Sequence, residues 1–136
     1  KDGMDISLCV FDEDKMELKW SGANNPLWII RKDAKELEGI KANKQPIGKS
    51  DNPVPFTTHL LELQKGDSLY LFTDGFADQF GGPKGKKFKY KQLEELLINS
   101  NKLNVQEQQQ LLISSLNQWK GNLEQVDDIC IIGIKF

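Results

Sequence analysis

Residues 67–82 constrain this chain more than any other stretch. Residues 69–73 are an apolar run of β-forming side chains that stops on Asp74-Gly75. A short run that is apolar at successive positions reads as a strand buried on both faces. A carboxylate at the end of such a strand is costly to bury without a partner, or it takes up a proton. A bound cation removes that cost, and Gly75 lets the backbone turn sharply or come close to a ligand. Asp-Gly is also an ordinary turn pair, so the stretch alone admits both a strand-ending turn and a cation ligand.

A second acidic feature narrows the choice. Asp127-Asp128 opens the apolar run that closes the chain at Phe136. Neighbouring residues of a strand point to opposite faces, so one of the two faces a given site; a solvated strand start is the plainer reading. Acidic residues at the ends of two core strands form a more specific pattern. Adjacent strands lie about 4.8 Å apart, so if these two are neighbours their carboxylates can share one hard cation. Oxygen ligands alone favour Mg²⁺ or Mn²⁺ over zinc. His59, the sole histidine, lies in an alternating run and reads as a partly exposed structural residue.

The remaining pattern is that of a layered protein. Residues 4–12 read as a strand apolar on nearly both faces and 16–20 as its hairpin partner, followed by a loop of small residues. Residues 27–31 form a third strand, 35–42 a charged edge strand, 43–55 a proline-rich surface loop, and 56–63 a further strand. Gly81 to Lys87 reads as a flexible basic loop, solvated or facing a substrate. Leu93, Leu96 and Leu97, then Leu111, Leu112, Leu116 and Trp119, recur at helical spacing; they predict two amphipathic helices, each covering a sheet face, the second ending at Gly121. Gly48-Lys49-Ser50 resembles the end of a Walker loop, but Asn43 stands where the first glycine is needed.

Composition excludes several classes. At 136 residues, 38% hydrophobic and 28% charged, the chain suits one soluble globular domain with its own core. Its net charge of −2 provides no basic field for nucleic acid, and Arg31 is the one arginine among 18 basic residues, which removes recognition by several bidentate arginines. No apolar run approaches the roughly 20 residues that span a bilayer. No signal peptide is visible, and a start at Lys1 reads as a piece of something longer. Cys9 and Cys130 sit in apolar strand-like runs and read as small buried hydrophobes in a reducing compartment. No arginine closely follows either, as the phosphate loop of a cysteine-dependent phosphatase requires.

Taken together, residues 69–79 around Thr73-Asp74-Gly75, Val126-Asp127-Asp128-Ile129, the opening run 2–10, residues 21–27 and Gln45-Pro46-Ile47-Gly48 resemble, in order, the PPM-type metal-dependent protein serine/threonine phosphatases, specifically their SpoIIE-like bacterial branch. The resemblance covers the whole chain. It implies an α+β fold, a layered antiparallel β-sandwich flanked by helices, of which residues 1–136 are the C-terminal portion with the N-terminal part missing. It implies that Asp74 and Asp127 are metal ligands; Gly75 and Asp128 are the supporting candidates beside them, with strand alternation turning Asp128 away. It further implies a two-metal Mn²⁺ or Mg²⁺ site in which an activated water attacks a phosphoserine or phosphothreonine in line. The implied setting is cytoplasmic signalling, the substrate a phosphoprotein such as an anti-sigma-factor antagonist, with no nucleic acid and no membrane contact. The family's upstream Gly-Asp-x-x-Gly-His-Gly motif, which carries the bridging Asp, does not occur in this chain, and Asn24 stands where relatives often carry histidine. The isolated chain is therefore expected to be nearly inactive. A non-catalytic phosphatase-like interaction module is the alternative. A sandwich begun after its first strands leaves an unpaired edge, which predicts self-association.

Overall fold

A computed structural model describes residues 3–136; Asp2, the first residue of the opening family-like run, lies outside them. The elements are β1 (Gly3–Met4), β2 (Ile6–Asp12), β3 (Glu17–Ala23), β4 (Leu27–Ile30), β5 (Glu38–Ile40), β6 (Ile47–Gly48), β7 (His59–Glu62), β8 (Ser68–Phe72), α1 (Gly75–Asp78), β9 (Phe80–Gly81), β10 (Lys86–Lys87), α2 (Tyr90–Ser100), α3 (Val105–Lys120) and β11 (Ile131–Lys135).

The layers follow from the alternation along β4 and β8. All four residues of β4 are buried. Leu27 and Ile29 point to one side and pack with Leu18, Trp20, Leu63 and Leu69. Trp28 and Ile30 point to the other and pack with Tyr70, Phe72, Phe76, Leu93 and Leu97. A strand with two apolar faces needs a layer on each, and burying each such Leu or Ile contributes about 1.5–3 kcal/mol. The central sheet runs β11-β8-β4-β5, and a second sheet, β2-β3-β7, covers one of its faces. Both are antiparallel throughout, with Ile29 opposite Leu69 and Ile131 opposite Phe72. The charged strand β5 is an edge, as its composition predicts.

Both long helices lie on the other face of the central sheet. Leu93 and Leu97 of α2 are buried there, with Leu112, Leu116 and Trp119 of α3 packed beside them. Each helix covers a sheet face as its spacing predicts, and the two share the same face of the same sheet. Asn104 caps α3 by accepting from the Glu107 N–H at 2.8 Å, and Gly121 ends it at φ 54°. Tyr70 ties the helices to the sheet, donating to Asn101 at 2.9 Å and accepting from Gln108 at 2.8 Å.

Three further expectations change. The outward residues of β2 are open, with Leu8 57% and Val10 62% exposed, so this strand is buried on one face at most. Cys130 is exposed and Cys9 half-buried, and both are free thiols. The basic loop is an ordered ribbon, β9 paired with β10. It is held on α3 because Gly81 has no side chain: a Cβ there would lie 1.9 Å from the Trp119 carbonyl oxygen.

The single arginine has a structural role. Arg31 donates to the buried carboxylate of Asp67 at 2.8 Å, and to Glu38 at 2.8 Å. Asp67 also accepts from the backbone N–H groups of Gln64 (2.8 Å) and Lys32 (3.1 Å). Burial pushes the Asp67 carboxyl up, but these donors outweigh it and hold its pKa below the ordinary range.

Candidate metal centre

The site is built where β8 ends beside the approach to β11. Thr73 joins the two segments: its N–H donates to the Cys130 carbonyl at 3.0 Å, its hydroxyl donates to the Asp128 carbonyl at 2.8 Å, and the Cys130 N–H donates to that hydroxyl at 3.0 Å. This side-chain staple takes over from the strand ladder, and it is why β11 begins only at Ile131 rather than at Asp127. Gly75 serves close approach rather than an unusual turn. A Cβ there would stand 2.2 Å from the Asp128 carbonyl oxygen and 2.9 Å from Ile129.

Asp74 is the N-cap residue of the one-turn α1, and the Asp78 N–H donates to its carbonyl at 2.9 Å. That turn stacks residues four apart on one side. Carboxylate oxygens of Asp74, Asp78 and Asp127 consequently lie within 4.8 Å of one another. The two sequence-selected residues, Asp74 and Asp127, are thus brought together. Asp128 contributes its backbone instead: its N–H donates to Asp127 Oδ1 at 2.7 Å, and its carbonyl meets Thr73. Its side chain is outside the trio, though the residue sits in a loop and strand alternation is not the reason.

Asp78 escaped the reading of the sequence. The signal was available in the i, i+4 spacing of Asp74 and Asp78, but it becomes visible only once the residues after the strand are known to coil. His59 lies elsewhere, on β7 with its ring 5.4 Å from that of Trp20. Asn24 adopts a left-handed backbone (φ 63°), a conformation asparagine tolerates better than most residues, and donates to Asp5 at 2.8 Å. Gly48-Lys49-Ser50 is not followed by a helix, so it is no phosphate loop.

Three like charges at this spacing repel one another. The Asp74 carboxyl is pushed up by burial and by the neighbouring Asp127 and Asp78. The Tyr90 phenol is pushed up to about 12 by burial and by Asp74 and Asp78. Lys87 offers partial compensation, with Nζ 3.5 Å from Asp78 Oδ1. The donor set is all oxygen, anionic and accessible to solvent at Asp74 and Asp127, which fits a hard divalent cation such as Mg²⁺ or Mn²⁺.

An antiparallel sandwich under helices is the fold of PP2C phosphatase domains, and in this chain the acidic trio lies where β8 ends beside the approach to the edge strand β11. The chain belongs to the SpoIIE family: the family description of stage II sporulation protein E (SpoIIE) matches residues 2–136. Among solved structures it is similar to the SiaA-PP2C domain of Pseudomonas aeruginosa, with a TM-score of 0.87 and 28% identity over 97% of this chain and 51% of that one. It shares its fold with the phosphatase domain of SpoIIE from Bacillus subtilis (TM-score 0.64, 18% identity, 96% of this chain, 57% of that). It also shares its fold with RsbX in complex with magnesium (TM-score 0.64, 16% identity, 98% and 56%). The chain thus spans about half the length of these structures. Comparison with curated proteins gives no significant sequence match.

Proposed function

We propose that residues 1–136 are the C-terminal portion of a metal-dependent protein serine/threonine phosphatase domain that acts on a bacterial signalling phosphoprotein. The observation that carries this reading is the convergence of Asp74, Asp78 and Asp127, with oxygens within 4.8 Å. Asp74 and Asp127 would hold a divalent cation with Asp78 beside them. Gly75 admits the Asp128 backbone, and the Asp128 N–H orients Asp127. Unneutralised, the three carboxylates would repel a phosphate dianion, so the trio serves phosphoryl chemistry only as a cation holder. When bound, such a cation supplies Lewis-acid polarisation and lowers the pKa of a water. Mn²⁺ or Mg²⁺ is the proposed ion; RsbX was crystallised with magnesium and a SpoIIE domain was presoaked with Mn. The proposed setting is the cytoplasm, with a substrate of the anti-sigma-factor-antagonist type; no helix among the described residues is long and apolar enough to cross a membrane.

The second reading is a phosphatase-like interaction module without chemistry; an intact Gly-Asp-x-x-Gly-His-Gly upstream of residue 1 would favour the enzyme, and its absence there the module. Phosphate release from a phosphoserine protein with Mn²⁺ separates the two. Three proteins are compared: this chain, a version extended to the relatives' domain length, and the extended version carrying Asp74→Asn. The expected result is release by the extended domain alone, because this chain lacks the bridging carboxylate of a two-metal site. An extended domain inert with every divalent metal would leave the interaction module as the better reading, and full activity of this chain would overturn the truncation argument.

A further inference from the structure

The ribbon β9–β10 and the residues after it carry five exposed lysines, Lys84, Lys86, Lys87, Lys89 and Lys91, on a chain whose net charge is −2. The ribbon is fixed to the acidic turn just after β10. The Phe88 N–H donates to the Gln79 carbonyl at 2.9 Å and the Lys89 N–H to the Ala77 carbonyl at 2.7 Å, on either side of Asp78. Its middle rests on α3, where the Gly82 N–H donates to the Trp119 carbonyl at 2.9 Å. Lys87 reaches Asp78 and also stands 5.8 Å over the Phe80 ring. Among the described residues, no ion pair joins Lys84, Lys86, Lys89 or Lys91. A pinned strip of positive charge therefore meets the carboxylate trio at Lys87 and continues through lysines without an ion pair among the described residues, in a molecule that otherwise favours acid over base.

We propose that this ribbon docks the acidic residues flanking the phosphorylated residue of a protein substrate. The proposal rests on the phosphatase reading and adds the charge class of the substrate to it. Lysines are point charges on flexible stems and suit scattered carboxylates. Nucleic-acid readout favours arginine forks, and the one arginine here is held by Asp67 and Glu38. The field of the strip also offsets the repulsion that the trio exerts on an incoming anion.

The test measures binding, so it does not depend on turnover. A fluorescent phosphoserine peptide with several flanking Asp and Glu residues is compared, by anisotropy, with the same peptide carrying Asn and Gln. Both are titrated with the wild-type chain and with Lys84→Glu/Lys86→Glu, neither residue being one of the proposed cation holders. The acidic peptide should bind about 5-fold more tightly than the neutral one, and the variant should lose that preference, since two exposed pairs together contribute about 1 kcal/mol. Raising salt should erase the preference in the wild type. No preference in the wild type, a preference kept by the variant, or equal binding of a DNA oligonucleotide of matching charge would each overturn the proposal. Mn²⁺ binding followed by electron paramagnetic resonance in both proteins keeps the two readings apart. Its loss from the wild type would remove the metal centre without affecting the anisotropy result, and its retention in a variant that has lost the peptide is the expected outcome.

Discussion

At the scale of single residues, the acidic pair at 127 and 128 divides its labour between side chain and backbone. Asp127→Ala should weaken Mn²⁺ binding markedly, whereas Asp128→Ala should leave it nearly unchanged, because Asp128 acts through an N–H and a carbonyl that alanine retains. Calorimetric titration of both variants decides it; a larger loss in Asp128→Ala would reverse the assignment. Arg31 and Asp67 give a second case. Removing Arg31 leaves a buried carboxylate with backbone donors only, and Arg31→Met should cost about 3 kcal/mol in urea unfolding. Asp67 has a folded pKa below its unfolded value of about 3.9, so its contribution is present above that value and is lost as pH falls through the folded one. The wild type should lose stability in that acid window, and Asp67→Asn should show a shallower loss there; equal slopes would discount the ion pair.

At the scale of elements, what could be read in the sequence was whatever repeats with a fixed period. Leu93, Leu97, Leu112 and Leu116 disclosed α2 and α3, and the apolar runs disclosed β4 and β8. Asp74 and Asp127 were legible because each stands at the end of an apolar run. Asp78 and the ribbon were not, since both depend on tertiary contacts: one turn of helix closed against the Asp128 carbonyl, and a pair of two-residue strands held by Trp119. Gln79 shows how such contacts bind the site together. It is fully buried, and its amide donates to the carbonyls of Phe80 (3.0 Å) and Glu124 (2.9 Å), bridging the acidic turn to the segment that leads to Asp127. Gln79→Leu removes both hydrogen bonds, at about 1–3 kcal/mol together. Thermal unfolding should register that loss, and amide exchange near residue 124 should rise with it. Unchanged exchange there would mean that the bridge does not hold the segment.

At the scale of the whole molecule, surface area is the telling quantity. A compact monomer of 15.5 kDa would expose about 7,200 Å² by the usual mass scaling, whereas this chain exposes 9190 Å². The excess is of the order that a large permanent interface covers. Part of it lies on β2, at the edge of its sheet, with Leu8, Val10 and the nearby Leu60 open to solvent. We propose that the isolated chain self-associates through this region. Sedimentation should show mass rising with concentration, and Val10→Lys should return it toward the monomer. A clean wild-type monomer at high concentration would count against the proposal.

The seating of Trp119 has an optical consequence. Its indole N–H donates to the Gln79 carbonyl at 2.9 Å, one residue beyond Asp78, and its ring stands edge-on to Phe88 at 5.4 Å. Trp20 and Trp28 belong to the two cores, so replacing both with Phe leaves one fluorophore wired to the acidic turn. Diamagnetic Mg²⁺, which does not quench, should then shift its emission as the charge around Asp78 changes. A silent indole in a protein that demonstrably binds the ion would place that ion on Asp74 and Asp127 without Asp78, so the chain carries its own gauge of which carboxylates are engaged.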